Sequence, residues 1–343
     1  MKQKIRRYLM VCGLLLIALF GTAKKPIKVA CVGNSVTFGY GLTNRETTSY
    51  PYVLQQLLGA DYEVKNFGHS GTTLLSEGHR PYIQQPEYQA ALAFKADLVV
   101  IHLGLNDTDP RNWPNYNSHF DSDYQQLINS FRQANPKVKI WICLLTPIFH
   151  PHPRFESGTR DWHAAIQKHI RRIAEANQTG LIDLHTPLYS RPDLFADALH
   201  PNAEGATIMA KTIYAALTGN NGGLKLAPIY SDGMVMQRRQ PIVFRGTANA
   251  GTQVKVAFNG QQQTCTAAAN GHWKATFPAM EAGGPYEAQI KTKGERRDLH
   301  LIYIAFALAA QKVFFRTPMR GHPTAFEPLI PMETGERRGS AHR

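Results

Sequence analysis

Between Ile27 and Thr218, short apolar β-branched runs alternate with segments of helical period, and this alternation restricts the fold more than any other feature of the chain. Ile27–Val32 (IKVACV) stops at Gly33 and reads as a buried parallel strand, because a strand covered on both faces needs no polar alternation. Tyr62–Asn66, Ala96–Leu103, Val138–Leu145 and Leu181–Leu184 repeat the pattern. Helices are expected at Tyr50–Leu58, at Asp121–Ala134 with Ser118 or Asp121 as its cap, at Thr159–Asn177 with basic residues outward, and at Pro201–Leu217 with proline in its first turn. Strands separated by helices predict an α/β three-layer sandwich around a parallel sheet.

The glycines of Gly219–Gly223 break this pattern. Beyond them the helical period is gone. Ile242–Arg245, Gln253–Phe258, Trp273–Phe277 and Tyr286–Ile290 read as short strands, separated by Asn249-Ala250-Gly251, Asn259-Gly260 and Asn270-Gly271. The predicted division is a domain at 24–218, a linker at 219–225, a small all-β sandwich-like module at 226–304, and a tail at 305–343 without sustained period, expected to be poorly ordered.

The N-terminus reads as a cleavable signal peptide over residues 1–23. A basic start (KQKIRR) is followed by the apolar run Tyr8–Phe20 and by Gly21-Thr22-Ala23. A secreted or periplasmic protein without stable membrane insertion after cleavage is expected, because the run is short for a membrane anchor. The formal net charge is +13; Lys2, Lys4, Arg6 and Arg7 carry four of it, leaving +9. The basic residues do not form one stripe with interleaved aromatics, which argues against nucleic acid as a partner. Cys31, Cys143 and Cys265 remain after cleavage, an odd number that points to small buried side chains rather than a disulfide framework.

Four segments fall where α/β proteins place their sites, at the ends of elements on one sheet edge. They are Gly33-Asn34-Ser35-Val36-Thr37 after the first strand, Asn66-Phe67-Gly68-His69-Ser70-Gly71 after the second, Gly104-Leu105-Asn106-Asp107 after the third, and Asp197-Ala198-Leu199-His200 before the last helix. Their chemistry is complementary. A serine hydroxyl needs a base to take its proton, and His200 can serve Ser35 in that way. A carboxylate must orient that imidazole, as Asp197 can. Preset donors for an oxyanion are available from the Ser35 N–H, the Gly71 N–H and the Asn106 side-chain amide. Asp107 is read as structural. His69 could face the site, His102 lies on a core strand, and His150 and His152 sit in a proline-rich loop without the further ligands a metal needs. Trp113, Tyr116 and Phe149 are candidates for a sugar-stacking wall or for ordinary loop packing. No nucleotide, phosphate-loop or haem motif occurs, so neither cofactor nor metal is expected.

In these four blocks, and in their order, residues 27 to about 217 resemble the SGNH/GDSL hydrolase family, in which serine, glycine, asparagine and the aspartate–histidine pair carry ester hydrolysis. The resemblance implies a flavodoxin-like sheet with Ser35, Asp197 and His200 as catalytic residues and Ser35, Gly71 and Asn106 as the oxyanion hole. Asn34 departs from the family, which usually has aspartate there; asparagine makes similar local hydrogen bonds.

Residues 226–304 are similar to the β-rich N-terminal module of bacterial sialate O-acetylesterases at Pro228–Gln237 (PIYSDGMVMQ), Gly271-His272-Trp273 and Ala282–Tyr286 (AGGPY). This resemblance stops near Ile304, as expected if the reading frame shifts near Ala305. Together the two resemblances imply an esterase acting on O-acetylated sugars, sialic acids first. Acetylxylan or short acyl esters, including lysophospholipids, are the second reading. A sugar-binding protein with vestigial machinery is the reading from another class.

Overall fold

The computed structural model describes residues 25–153, 155 and 158–305. The expected signal segment and the tail beyond Ala305 lie outside the described residues. Five parallel strands, β1 (Ile27–Gly33), β2 (Tyr62–Gly68), β3 (Leu98–His102), β4 (Lys139–Leu144) and β5 (Gly180–Asp183), form one sheet in the order β2-β1-β3-β4-β5. This is the flavodoxin-like order. Its direction reverses between β1 and β3, which opens a crevice at their carboxyl ends. Val29–Val32 of β1 and Val99–Ile101 of β3 are fully buried, which explains the unbroken apolar runs.

The principal helices are α1 (Ser35–Phe38), α2 (Tyr50–Leu58), α3 (Pro86–Phe94), α4 (Phe120–Ala134), α5 (Thr159–Ala176) and α6 (Ala203–Thr218). In one group α2 packs on α6; in the other α4 packs on both α3 and α5, as a sheet covered on both faces requires. Two expected helix starts are corrected. No side chain caps α4, which begins at Phe120 after His119. Pro201 stands outside α6, whose cap is Asn202, its side chain accepting from the Gly205 N–H.

The C-terminal module has two sheets. β10-β9-β12-β13-β7 is built from β7 (Val235–Gln237), β9 (Gln253–Phe258), β10 (Gln261–Thr266), β12 (Gly283–Lys291) and β13 (Arg296–Ala305). β11-β8-β6 is built from β6 (Lys225–Leu226), β8 (Ile242–Thr247) and β11 (His272–Phe277). Their inner faces enclose Phe244, Phe258, Trp273, Phe277, Ile290 and Ile302. Asn259 and Gly260 both have positive φ, the hairpin turn that their dipeptide predicts. Leu224, at the end of the expected linker, is already part of this second core.

Candidate active site

Ser35 begins α1 two residues past the end of β1, and it is 6% exposed. Asn34 caps the turn: its Oδ1 accepts from the Val36 N–H at 3.0 Å, the local bond expected of it. Its Nδ2 is buried without a partner. An aspartate there would bury no such N–H. β2 presses close to the same turn. The Asn66 side chain donates to Thr37 O at 2.8 Å, and Gly68 approaches so near that a Cβ would stand 2.2 Å from the Phe38 nitrogen. Gly68→Ala must therefore push α1 away from β2. The expected result is a loss of about 3 kcal/mol in stability and a fall of about 100-fold in activity from misplaced Ser35. Thermal unfolding and ester hydrolysis read both; a variant with wild-type values would show that this contact is not needed.

His200 arrives from the far side of the sheet, in the loop between β5 and α6. Its Nε2 accepts from the Ser35 hydroxyl at 2.8 Å, and its Nδ1 donates to Asp197 Oδ2 at 2.5 Å. The other oxygen of Asp197 accepts from the backbone N–H of Leu199 at 3.0 Å and of His200 at 2.7 Å. Burial raises the affinity of this carboxyl for a proton, but the bonds from His200 and the two N–H groups outweigh it and hold Asp197 below the usual carboxylate range. It thus stays an acceptor and fixes the tautomer that leaves Nε2 free to face Ser35. The turn places Ala198 in the left-handed region, with φ of 63°. Its carbonyl accepts from the Phe149 N–H at 2.9 Å, which ties the turn to the loop after β4.

The remaining blocks flank Ser35, since β2 and β3 are the two neighbours of β1. Gly71 follows β2 with φ of 81°, a conformation that favours glycine. Asn106 follows β3, is 8% exposed, and donates one amide hydrogen to Thr72 O at 3.0 Å. That bond joins the two expected donor loops and leaves the second amide hydrogen for another acceptor. The Gly71 loop is further held by Asp107, whose two oxygens accept from the Leu74 and Leu75 N–H groups at 2.9 and 2.8 Å. Asp123 accepts from the Ser76 N–H, and Asn112 from that of His79. Burial pushes Asp107 up to about 6 against those bonds.

Other sequence candidates are elsewhere. His69 pairs with Glu87 of α3 at 2.8 Å. His102 is fully buried, and His150 packs at a tilt against Phe155, with ring centroids 5.6 Å apart. Trp113 is not part of a sugar wall: it is 6% exposed and packs edge-on against Phe120 and His169. Phe149 packs on Phe195, and Tyr116 is partly buried against the core. The aromatic that does meet the site is Tyr40, 54% exposed, with its ring centroid 4.7 Å from that of His200. Its position between Gly39 and Gly41 was a readable signal. Among the described residues, no group of three or more potential metal ligands is present.

A serine on a strand-to-helix turn, flanked by a glycine loop and an asparagine and met by Asp-x-x-His from before the last helix, has a counterpart in sequence. The pattern of the GDSL-like Lipase/Acylhydrolase family matches residues 31–208. The chain belongs to this family. An acetylxylan esterase from Xylanibacter ruminicola is 39% identical over 212 residues, covering 56% of this chain and 43% of that protein. The chain therefore spans less than half the length of that relative. Among solved structures, a carbohydrate acetylesterase from Xanthomonas citri is 32% identical over 23% of this chain and 18% of its own, with a TM-score of 0.23. A carbohydrate acetylesterase family member from Sinorhizobium meliloti is 20% identical over 56% of this chain and 97% of its own, with a TM-score of 0.43.

Proposed function

We propose that this protein is a carbohydrate O-acetylesterase working by serine acyl transfer. The observation that carries the reading is the unbroken chain from Ser35 Oγ through His200 to Asp197. As Ser35 Oγ attacks the acetyl carbonyl, His200 Nε2 takes its proton, and Asp197 stabilises the imidazolium. The negative oxygen of the tetrahedral intermediate is met by the N–H groups of Ser35 and Gly71 and by the free amide hydrogen of Asn106. Collapse expels the sugar hydroxyl, which receives the proton from His200. Water, deprotonated by the same imidazole, then releases acetate and restores Ser35.

The 39% identical acetylxylan esterase favours acetylated xylan as substrate. The motifs of the second module favour O-acetylated sialic acid as the second reading. The basic, apolar N-terminal segment supports export to the periplasm or beyond.

The test is acetate release by the purified chain from acetylated xylan, O-acetylated sialic acid and p-nitrophenyl acetate. We expect the xylan to be deacetylated with the highest kcat/KM. Preference for the sialic acid would move the substrate to the second reading. A folded protein that releases acetate from none of the three would refute the enzyme reading and leave a sugar-binding protein.

A further inference from the structure

The outer face of the three-stranded sheet carries positive charge that nothing in the module neutralises. On β8, Val243, Arg245 and Thr247 alternate with inward residues; on β11, His272, Lys274 and Thr276 do the same. The antiparallel register sets Arg245 directly opposite Lys274. Like charges so placed repel each other. β6, β8 and β11 contain no Asp or Glu. The module's ion pairs among the described residues are Arg239–Glu281, Arg296–Asp298 and His300–Glu287, so no carboxylate pairs with Arg245 or Lys274.

Beside this pair lies a cavity of about 470 Å³, walled by Tyr230, Met234 and Met236 with Arg245 and Lys274 among its lining. Its volume is in the range of small-molecule sites. The Tyr230 hydroxyl donates to Val243 O at 2.8 Å, which fixes the ring against the sheet. Ile229 and Val235, on the same wall, are 64% and 59% exposed, an apolar surface that a folded module does not need.

We propose that this cavity binds a carboxylate-bearing sugar, such as a hexuronic acid residue of a glycan. Arg245 and Lys274 would take the carboxylate, and Tyr230 with the methionines would take the apolar face of the ring. An inorganic anion would leave the apolar wall uncovered. A neutral sugar would leave the two cations facing each other. Only an anion with a ring face satisfies both halves of the cavity. The site is separate from Ser35, and binding there does not depend on the esterase reading. In a glycan esterase it would hold an acidic polysaccharide near the hydrolytic domain.

The test is calorimetric titration of the full chain with trigalacturonate and with neutral xylotriose. Trigalacturonate is expected to bind at least about tenfold more tightly, and Arg245→Gln/Lys274→Gln to lose at least that factor, with unchanged melting temperature and p-nitrophenyl acetate turnover. Ser35→Ala should bind as the wild type does, which separates failure of this site from failure of the esterase reading. Should the double variant not fold, Lys274→Gln alone decides by the same titration. The proposal is overturned by absence of trigalacturonate binding, by equal binding in the variants, or by tripolyphosphate binding as tightly as trigalacturonate, which would reduce the site to a charge patch.

Discussion

On the proposed mechanism, Ser35→Ala is expected to fold normally and to hydrolyse acetyl esters about 10⁴-fold to 10⁶-fold more slowly, as loss of the nucleophile does in serine hydrolases. The hydroxyl removed is small, and its oxygen bonds His200, which in turn is held by Asp197. No core contact depends on it. The residual rate would come from binding and from the donors around the carbonyl oxygen. If serine, histidine and aspartate act as one unit, Ser35→Ala/His200→Ala should be scarcely slower than either single variant. Asp197→Asn should cost about 10⁴-fold by allowing the wrong tautomer, although the turn keeps an acceptor for the Leu199 and His200 N–H groups. These rates, with a melting curve for each variant, decide the matter. A Ser35→Ala protein that keeps a tenth of wild-type turnover would place the nucleophile elsewhere.

The sheet and its site were legible because burial on both faces leaves a simple trace. β1, β3 and β4 are runs of apolar residues, and the candidate residues Ser35 and Asn106 stand just past the ends of β1 and β3. Two elements that escaped notice lack such a trace. β10, QQQTCT, exposes nearly every residue and pairs only with β9 at the sheet edge, so it has no hydrophobic alternation to read. α3 buries only Ala91 and Phe94, too few to reveal a period. Asp107 reads as structural in the sequence, but what the anchors of the Gly71 loop hold was not legible, for another reason. Asp107, Asn112 and Asp123 reach backbone groups more than thirty residues away, and only the tertiary fold brings them there. For Trp113 the sequence left a sugar-stacking wall and ordinary packing both open, and the structure decides for packing: the ring fills the core beside α4 and α5.

Acid is expected to destabilise the fold well before the carboxylates of the surface titrate. Two histidines lie in the interior below the site. His102, at the end of β3, accepts the Thr146 N–H on Nε2 at 3.2 Å, and burial with the neighbouring His163 pushes it down to about 3. His163 of α5 donates from Nε2 to Thr146 O at 3.0 Å, and burial pushes it down to about 4. Both are therefore neutral in the folded protein, whereas in the unfolded chain they take up protons near pH 6.5. Above that pH neither state is protonated and stability is unaffected. As pH falls from about 6.5 towards 4 the unfolded state binds two protons that the folded state refuses, and stability is lost. Asp107 works in the opposite direction. Its folded value near 6 lies above that of the free carboxyl, so between about 6 and 4 the folded state gains one proton first and offsets part of the loss. His185 and His79, also lowered chiefly by burial, add to the loss. The net uptake of one to two protons corresponds to about 1.4–2.7 kcal/mol of stability per pH unit. Urea unfolding at half-unit steps from pH 7 to 4 measures this slope, and His163→Gln should lower it by about one proton, ~1.4 kcal/mol per unit, whatever it does to stability at pH 7. A wild-type slope near zero, or an unaltered slope in the variant, would mean that these imidazoles are solvated and charged in the folded protein.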